Sequence, residues 1–143
     1  MGLDMYLDRE IYIGNDYKEE KDQVVIDVPG VNQSKVSAII EHVGYWRKAN
    51  AVHKWFVDNV QNGTDDCGRY YVSQENLKDL LELVNKVLND KSLAGEALPS
   101  ESGFFFGSTD LDEWYFEGLE DTKKIIEDAL KDDNFSYYYH SSW

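Results

Sequence analysis

The apolar residues in the first part of the chain alternate with polar residues, which predicts β-strands. The alternation is clear in residues 3–8 and 11–13 and less regular in residues 24–28. A period of two places successive side chains on opposite faces of a strand, so that one face can be buried. Residues 14–16, Gly-Asn-Asp, are typical turn formers. The sequence therefore predicts a pair of strands in this part of the chain.

Two later stretches have the spacing of amphipathic helices. From Tyr45, apolar side chains recur at intervals of three or four residues, at Tyr45, Ala49, Val52, Phe56 and Val60. We expect this helix to begin at Tyr45 and to end near residue 62. Ser73 follows a predicted short strand at residues 69–72 and is a favourable N-cap for a second helix. Leucines and valines line one side of the second helix, at Leu77, Leu80, Leu81, Val84, Val87 and Leu88.

The segment after the second helix predicts a loop and then a buried strand. Residues 89–103 are rich in turn-forming residues, whereas residues 104–108 begin with three phenylalanines. A third helix follows. Thr109 or Asp110 can cap this helix, which carries regularly spaced apolar residues as far as Leu130.

Two segments fit more than one structure. Residues 36–40 fit a strand or a helix, and residues 114–118 could be extended within the third helix. Residues 135–139 have high β-propensity and predict a closing strand. Together these elements indicate one α+β domain over residues 1–143, in which an antiparallel or mixed sheet is packed by about three helices.

The charge of the chain limits the classes of molecule that the protein is expected to bind. The 143 residues include 14 Lys and Arg against 28 Asp and Glu, so the net charge is 14 − 28 = −14. An acidic surface repels nucleic-acid phosphates and anionic membranes, and it attracts basic proteins. The charge is uneven, because residues 109–133 contain 10 acidic and 3 basic residues, a net of −7, whereas residues 34–59 have a net of +2. We expect no direct binding to nucleic acid or membranes.

The sequence also predicts a cytoplasmic protein. No apolar run approaches the length that spans a bilayer, and the first residues lack the pattern of a signal peptide. The chain has a single cysteine, Cys67, which agrees with a reducing compartment.

The sequence gives little support for catalytic or metal-binding residues. Cys67 and His53 are the only pair that could supply a thiol nucleophile with its base, but Asp65 and Asp66 next to the cysteine disfavour a thiolate. The histidines and the cysteine lack the spacing of a zinc site, and the common phosphate-binding and hydrolase motifs are missing. We therefore predict no catalytic residues, no metal and no cofactor, and a binding protein rather than an enzyme.

A first candidate site is the predicted helix around Trp46. In a helix, Trp46, Asn50 and His53 would share one side, with Arg47 beside them. An aromatic wall with an amide, an imidazole and a guanidinium suits a planar or anionic ligand, such as a nucleotide-like molecule. Tyr70 and Ser108 complete this candidate set, namely Trp46, Arg47, Asn50, His53, Tyr70 and Ser108. The alternative is that these residues are structural, because buried polar groups usually have structural partners.

A second candidate site is the acidic segment that begins near residue 110. Its first part contributes six carboxylates, from Asp110, Asp112, Glu113, Glu117, Glu120 and Asp121. Such a surface could dock on a basic protein by imitating the charge of phosphates, and this attraction would be screened by salt.

Five blocks of sequence resemble a family of small bacteriophage and prophage proteins. The blocks are GLDMYL at residues 2–7, VGYWRKAN and HKWF within 43–56, DCG and YYVS within 66–73, GFFFGST at 103–109 and SSW at 141–143. The family has no established activity to carry over, but the resemblance implies a protein made inside an infected bacterial cell. The first hypothesis is therefore an accessory protein that binds a host protein through its acidic face. The alternative is a protein that binds a small ligand around Trp46.

Overall fold

The computed structural model describes residues 2–103 and 106–143, in which an antiparallel sheet is combined with helices. The strands are β1 (Asp4–Tyr12), β2 (Ala38–Arg47), β3 (Tyr70–Val72) and β4 (Ser136–Ser142). The helices are α1 (Asn50–Asn59), α2 (Gln74–Asn89), α3 (Ala94–Ala97) and α4 (Glu113–Leu130). The protein is α+β, as the sequence predicted.

β1 lies inside the sheet, whose strand order is β2-β1-β4-β3. It pairs antiparallel with both β2 and β4. The segments at residues 3–8 and 11–13, which the alternation pattern separated, are largely joined in this one strand. Residues 36–40, which fitted a strand or a helix, lead into β2. The closing strand β4 was predicted correctly and is paired on both sides.

The predicted strand at residues 24–28 is wrong, because this segment is an exposed loop. The side chain of the buried Asn15 takes the place of a strand partner there. Its Nδ2 donates to the carbonyl oxygen of Val24, and its Oδ1 accepts from the Val24 N–H, both at 2.8 Å. Gln33 Oε1 accepts from the Ile26 N–H at 2.9 Å. Side chains thus satisfy backbone groups that would otherwise favour pairing in a sheet.

The two faces of the sheet differ in what covers them. On the core face, Met5 and Leu7 of β1 and Tyr139 of β4 are fully buried. Phe56 of α1 stacks on the Tyr139 ring with the ring centres 3.9 Å apart. On the other face, Tyr45 is 50% exposed and Tyr71 is 60% exposed. We call this second face the open face, because its side chains reach solvent.

Gly44 allows α4 to pack closely against β2. A Cβ atom at Gly44 would lie only 2.5 Å from Cγ2 of Ile125 in α4 and 3.3 Å from Cβ of Leu7. Contacts this short force neighbouring atoms to move, so the absence of a side chain at this position is what brings the helix onto the sheet.

The start of α2 was predicted correctly, and the start of α4 was not. Ser73 Oγ accepts from the Asn76 N–H, and Asn76 Oδ1 accepts from the Ser73 N–H, which forms a capping box. α4 is capped instead by Asp112, whose Oδ1 accepts from the Tyr115 N–H at 3.2 Å. Thr109 and Asp110 therefore lie outside the helix.

Two other predictions concern the segment before and within α4. Residues 114–118 are helical, so the extended alternative is wrong. The predicted buried strand at residues 104–108 falls partly on residues 104 and 105, which lie outside the described residues. The described remainder, residues 106–108, is a turn followed by irregular chain. No helix in the described part of the chain is both long and apolar enough to cross a membrane.

Candidate functional site

A cleft of about 470 Å³ lies where the end of β2 and the start of α1 face the first half of α4. We call it the α4 cleft. Its charged lining is divided between two walls. Arg47 and Lys48 lie at the end of β2, and the opposite side carries four acidic residues, Asp110, Asp112, Glu117 and Asp121. The cleft therefore combines two of the regions that the sequence singled out.

The predicted helix from Tyr45 is wrong, and this changes the role of Trp46. Residues 45–47 belong to β2, where Trp46 pairs with Met5 of β1, and α1 begins only at Asn50. Trp46 is 3% exposed, and its Nε1 donates to Thr122 Oγ1 of α4 at 2.8 Å. Trp46 is a core residue that joins the sheet to α4, and it does not line the cleft.

The basic wall of the cleft is formed where the strand becomes a helix. Lys48 has a positive φ of 56°, which breaks the strand direction before α1. Arg47 Nη1 lies 3.3 Å from Asp4 Oδ1, in an ion pair at the surface. Among the described residues no side chain caps α1 at Ala49, and the first N–H groups of a helix have no partners within the helix. This end of the cleft is therefore locally electropositive.

Asn50 holds the loop that forms one edge of the cleft. Its side chain is buried, and Nδ2 donates to the carbonyl oxygens of Phe106, at 3.1 Å, and Ser108, at 2.8 Å. Its Oδ1 accepts from the Glu101 N–H at 3.1 Å. These bonds use both N–H groups of the amide, so Asn50 positions the cleft wall and has no further donor free for a ligand.

His53 lies in the core and not in the cleft. It is fully buried, with Nδ1 2.6 Å from the Tyr139 hydroxyl and Nε2 2.9 Å from Asp65 Oδ2. Burial raises the pKa of Tyr139 well above 10, so this hydroxyl stays protonated and acts as a neutral partner of the imidazole. Both ring nitrogens are engaged by groups other than Cys67. His53 therefore connects α1, the following loop and β4.

Tyr70 is also outside the cleft. Its hydroxyl lies 2.9 and 2.8 Å from the two carboxylate oxygens of Asp66. The Gly68 N–H and then the Tyr70 hydroxyl lower the pKa of Asp66, and this hydrogen bond raises the pKa of Tyr70. The pair stabilises the turn before β3. Tyr70 is not among the described residues that line the cleft.

Ser108 does line the cleft, through the loop that Asn50 holds. Its carbonyl oxygen accepts from Asn50, and its Oγ accepts from the Asp110 N–H at 3.0 Å. Of the six residues that the sequence proposed for a ligand, the structure brings Arg47, Asn50 and Ser108 to the cleft. Trp46, His53 and Tyr70 have the structural contacts described above.

The second candidate set forms a continuous exposed surface. Asp110, Asp112, Glu113, Glu117, Glu120 and Asp121 are all exposed, and we call them the acidic ridge. Within residues 2–103 and 106–143, none of these carboxylates lies within 4.0 Å of a lysine, arginine or histidine nitrogen. Ten of the other acidic side chains in the described part of the chain do lie that close to such a nitrogen, whereas the charge of the ridge is left available at the surface.

Apolar groups lie beside the acidic ridge. Trp114 is 79% exposed and lines the α4 cleft, and Leu111 is 43% exposed. On the other side of the ridge, a shallower cleft of about 570 Å³ is lined by Leu88, Phe116 and Glu120, among others. The ridge thus stands between two depressions, with a large aromatic side chain at the edge of one of them.

Sequence reasoning missed Lys48 and Trp114. Lys48 lies between two residues of the ligand set, but its place in the cleft depends on the strand end that was predicted as a helix. Trp114 could have been found from the helical spacing of α4, because it falls among the acidic residues rather than on the apolar stripe. Together with the exposed Leu111, Trp114 adds apolar surface to this otherwise acidic segment.

Comparison with protein-family models, with curated proteins and with solved structures finds no match. The resemblance to bacteriophage proteins accordingly stays a prediction that depends on the five sequence blocks.

Proposed function

We propose that the protein binds a basic partner protein through the acidic ridge. The observation that carries this proposal is the set of six exposed carboxylates, none of which has a cationic partner in the described part of the chain. A carboxylate that is already paired gains little from a partner, whereas an unpaired one attracts a cationic surface over several ångströms. Like charges held close together also repel each other, and a basic partner relieves this repulsion. The ridge is therefore suited to electrostatic steering of a cationic protein.

Trp114 provides an anchor that can become desolvated, which a charged surface alone lacks. Charged pairs at the edge of an interface contribute mainly to the rate and specificity of association, and affinity depends on a few anchors that become desolvated. Trp114 is the large aromatic group beside the ridge, and it is 79% exposed. An arginine or lysine of the partner could lie on the indole ring while its charge faces Glu117 and Asp121, which follow Trp114 about one and two turns further along α4.

The resemblance to bacteriophage proteins implies that this partner is a bacterial host protein. A basic protein that normally holds nucleic acid would present the required cations, because the ridge imitates the charge of phosphates. No catalytic step is part of the proposal, and the protein would act as an inhibitor or adaptor.

The test compares two variants with equal net charge. The first, E113Q/E117Q/E120Q, removes three ridge charges from the surface of α4 without changing its Asp112 cap. The control, E19Q/E20Q/D22N, removes three exposed charges from the loop after β1. We expect wild type and control to retain the same basic protein from a bacterial lysate in about 0.1 M salt, and the ridge variant to retain about tenfold less. Quantitative mass spectrometry measures the recovery.

Trp114→Ala gives a second readout, because it should also lower the recovery of this partner. Wild type should lose the partner in about 0.5 M salt. Equal recovery by the ridge variant and the control would contradict the proposal, because it would mean that only the overall charge matters. Failure of wild type to retain any specific basic protein would also contradict it.

The α4 cleft supports a second candidate, the binding of a small ligand. The specific observation is the uncapped start of α1 next to Arg47 and Lys48, which can accept an anionic group. The four carboxylates of the opposite wall would repel a simple anion, so the ligand would also need a cationic group. A zwitterionic molecule fits both walls.

This candidate is tested by the thermal stability of the protein with a panel of zwitterionic and anionic small molecules. We expect a zwitterionic ligand to raise the Tm of wild type, and Lys48→Gln to weaken its binding at least about tenfold, since a hydrogen-bonded charge pair is lost. Lys48→Gln should leave the recovery of a basic protein unchanged. If no molecule raises the Tm, or if Lys48→Gln binds equally well, the small-ligand candidate is wrong.

A further inference from the structure

Three side chains that could bind a metal ion meet on the open face of the sheet. His42 Nδ1 of β2 lies 2.5 Å from Asp8 Oδ1 of β1, and His140 Nε2 of β4 lies 3.0 Å from Asp8 Oδ2. One ligand atom from each residue can be chosen so that all three lie within 4.8 Å of one another. Two imidazoles and one carboxylate therefore converge from three adjacent strands.

The register of the sheet explains why these residues meet. Asp8 is directly opposite His42 on β2 and opposite Tyr138 on β4, so that His140 is its diagonal neighbour. Side chains at directly opposed positions share a face, and diagonal neighbours on that face are within reach of long side chains. The three residues are far apart along the chain, and no local spacing could reveal them.

A β-bulge in β2 places His42 on this face. Leu7 pairs with Gly44, but Asp8 pairs with His42, so Val43 is the extra residue. In an unbroken register, Asp8 would face Val43, and His42 would lie opposite the next residue of β1 on the other face of the sheet. Bulges of this kind often re-aim a side chain beside a functional site.

The carboxylate is buried beneath the two imidazoles. The side chain of Asp8 is 4% exposed, whereas those of His42 and His140 are 59% and 26% exposed. The ring of Tyr6 packs against both, with ring centres 4.9 Å from His42 and 4.8 Å from His140. A buried carboxylate requires a cation or hydrogen-bond donors, and a metal ion could reach this one from solvent between the histidines.

We propose that Asp8, His42 and His140 form a binding site for a divalent transition-metal ion, with Zn²⁺ as the favoured ion. Imidazole nitrogen and carboxylate oxygen are ligands that zinc prefers, whereas Mg²⁺ and Ca²⁺ prefer sites made of oxygen alone. Three protein ligands leave a fourth position for water or another ligand, as in open zinc sites. The ion would replace the hydrogen bonds that now join Asp8 to the two rings, and the net charge of −14 favours cation binding in general.

The first experiment uses the untagged wild-type protein and Zn²⁺ alone. The chain has three histidines, and His53 is buried on the other side of the sheet, where Tyr139 and Asp65 engage both of its nitrogens. We expect long-range ¹H–¹⁵N NMR spectra to show saturable shifts of the His42 and His140 ring nitrogens at one zinc ion per chain, with His53 unchanged. Mg²⁺ at the same concentration should produce no such shift.

The second experiment compares variants by isothermal titration calorimetry. His42→Ala, His140→Ala and Asp8→Asn should each lower the affinity for Zn²⁺ at least about tenfold, because each removes a ligand. Asp4→Asn is the matched control, since Asp4 is also on the open side of β1 but pairs with Tyr45 and Arg47. Circular dichroism shows that each variant compared is folded.

The proposal is overturned if wild type shows no saturable zinc binding, or if the His53 signals shift in place of the other two. It is also overturned if Asp4→Asn weakens binding as much as the three ligand variants. The NMR experiment does not depend on any variant, so poor folding of a variant leaves the test intact. The site lies on the open face, away from the acidic ridge, and the two proposals can fail independently.

Discussion

Replacing Trp46 with alanine is expected to lower the free energy of unfolding by about 3–5 kcal/mol. The side chain is 3% exposed and packs edge-on against Phe56, with the ring centres 6.0 Å apart. Its removal leaves a cavity between the sheet and α4, and it also leaves Thr122 Oγ1 without its donor. Denaturation with urea, followed by circular dichroism, measures the difference from wild type.

Trp114→Ala is the matched control for this prediction. It makes the same chemical change at a position that is 79% exposed, so we expect a change in stability within about 0.5 kcal/mol. If Trp46→Ala were as mild as Trp114→Ala, Trp46 would not belong to the core. In that case Trp46 would be accessible to a ligand, as the sequence predicted.

Asn50→Asp is expected to lower the free energy of unfolding by about 2–4 kcal/mol. The substitution keeps the shape of the side chain but replaces the Nδ2 donor by a second carboxylate oxygen. That oxygen would face the carbonyl oxygens of Phe106 and Ser108, both of which now accept from Asn50. A buried charge whose one remaining donor is the Glu101 N–H is costly, and the chain at residues 101–103 and 106–108 should detach from α1. Denaturation with urea gives the energy, and limited proteolysis reports on the loop.

Asn59→Asp provides the control at the other end of α1. Asn59 is exposed, and its Nδ2 donates to the Trp55 carbonyl oxygen at 2.9 Å, one helical turn earlier. A negative charge near a helix C-terminus costs about 1 kcal/mol or less. An equal loss of stability in the two variants, or an Asn50→Asp protein whose loop resists protease as wild type does, would contradict the role given to Asn50.

The parts of the fold that depend on residues close together in the sequence could be predicted. The Ser73 cap and the stripe that follows it lie within one stretch of sequence, and both were found. The partner of β1 was not found, because pairing with β2 depends on contacts between distant residues. Residues 24–28 have strand propensity, but the side chains of Asn15 and Gln33 hold their backbone in a loop. Propensity alone could not anticipate these bonds.

The candidate sites also divide into features that are local in the sequence and features that depend on distant residues. The acidic ridge follows from helical spacing in one segment, so its exposure on one surface could be expected. The Trp46 set failed because a strand ends at Arg47 and a helix begins at Asn50, which sends neighbouring side chains in different directions. A stripe of period 3.6 that starts in a strand looks the same in sequence as one that starts in a helix. The Asp8 cluster needs three strands and a bulge, and it has no local signature.

The place of β4 within the sheet has a consequence for how the chain folds. β4 lies between β1 and β3, so that Asp4 is opposite Ser142 and Tyr70 is opposite Tyr139. Until residues 136–142 are present, β3 has no neighbour and β1 has an unpaired edge. Joining segments so distant in sequence carries a large entropic cost, and it slows folding. During synthesis the earlier strands would therefore expose unpaired backbone N–H and C=O groups, which can pair with another chain. These groups are paired only when β4 inserts between β1 and β3.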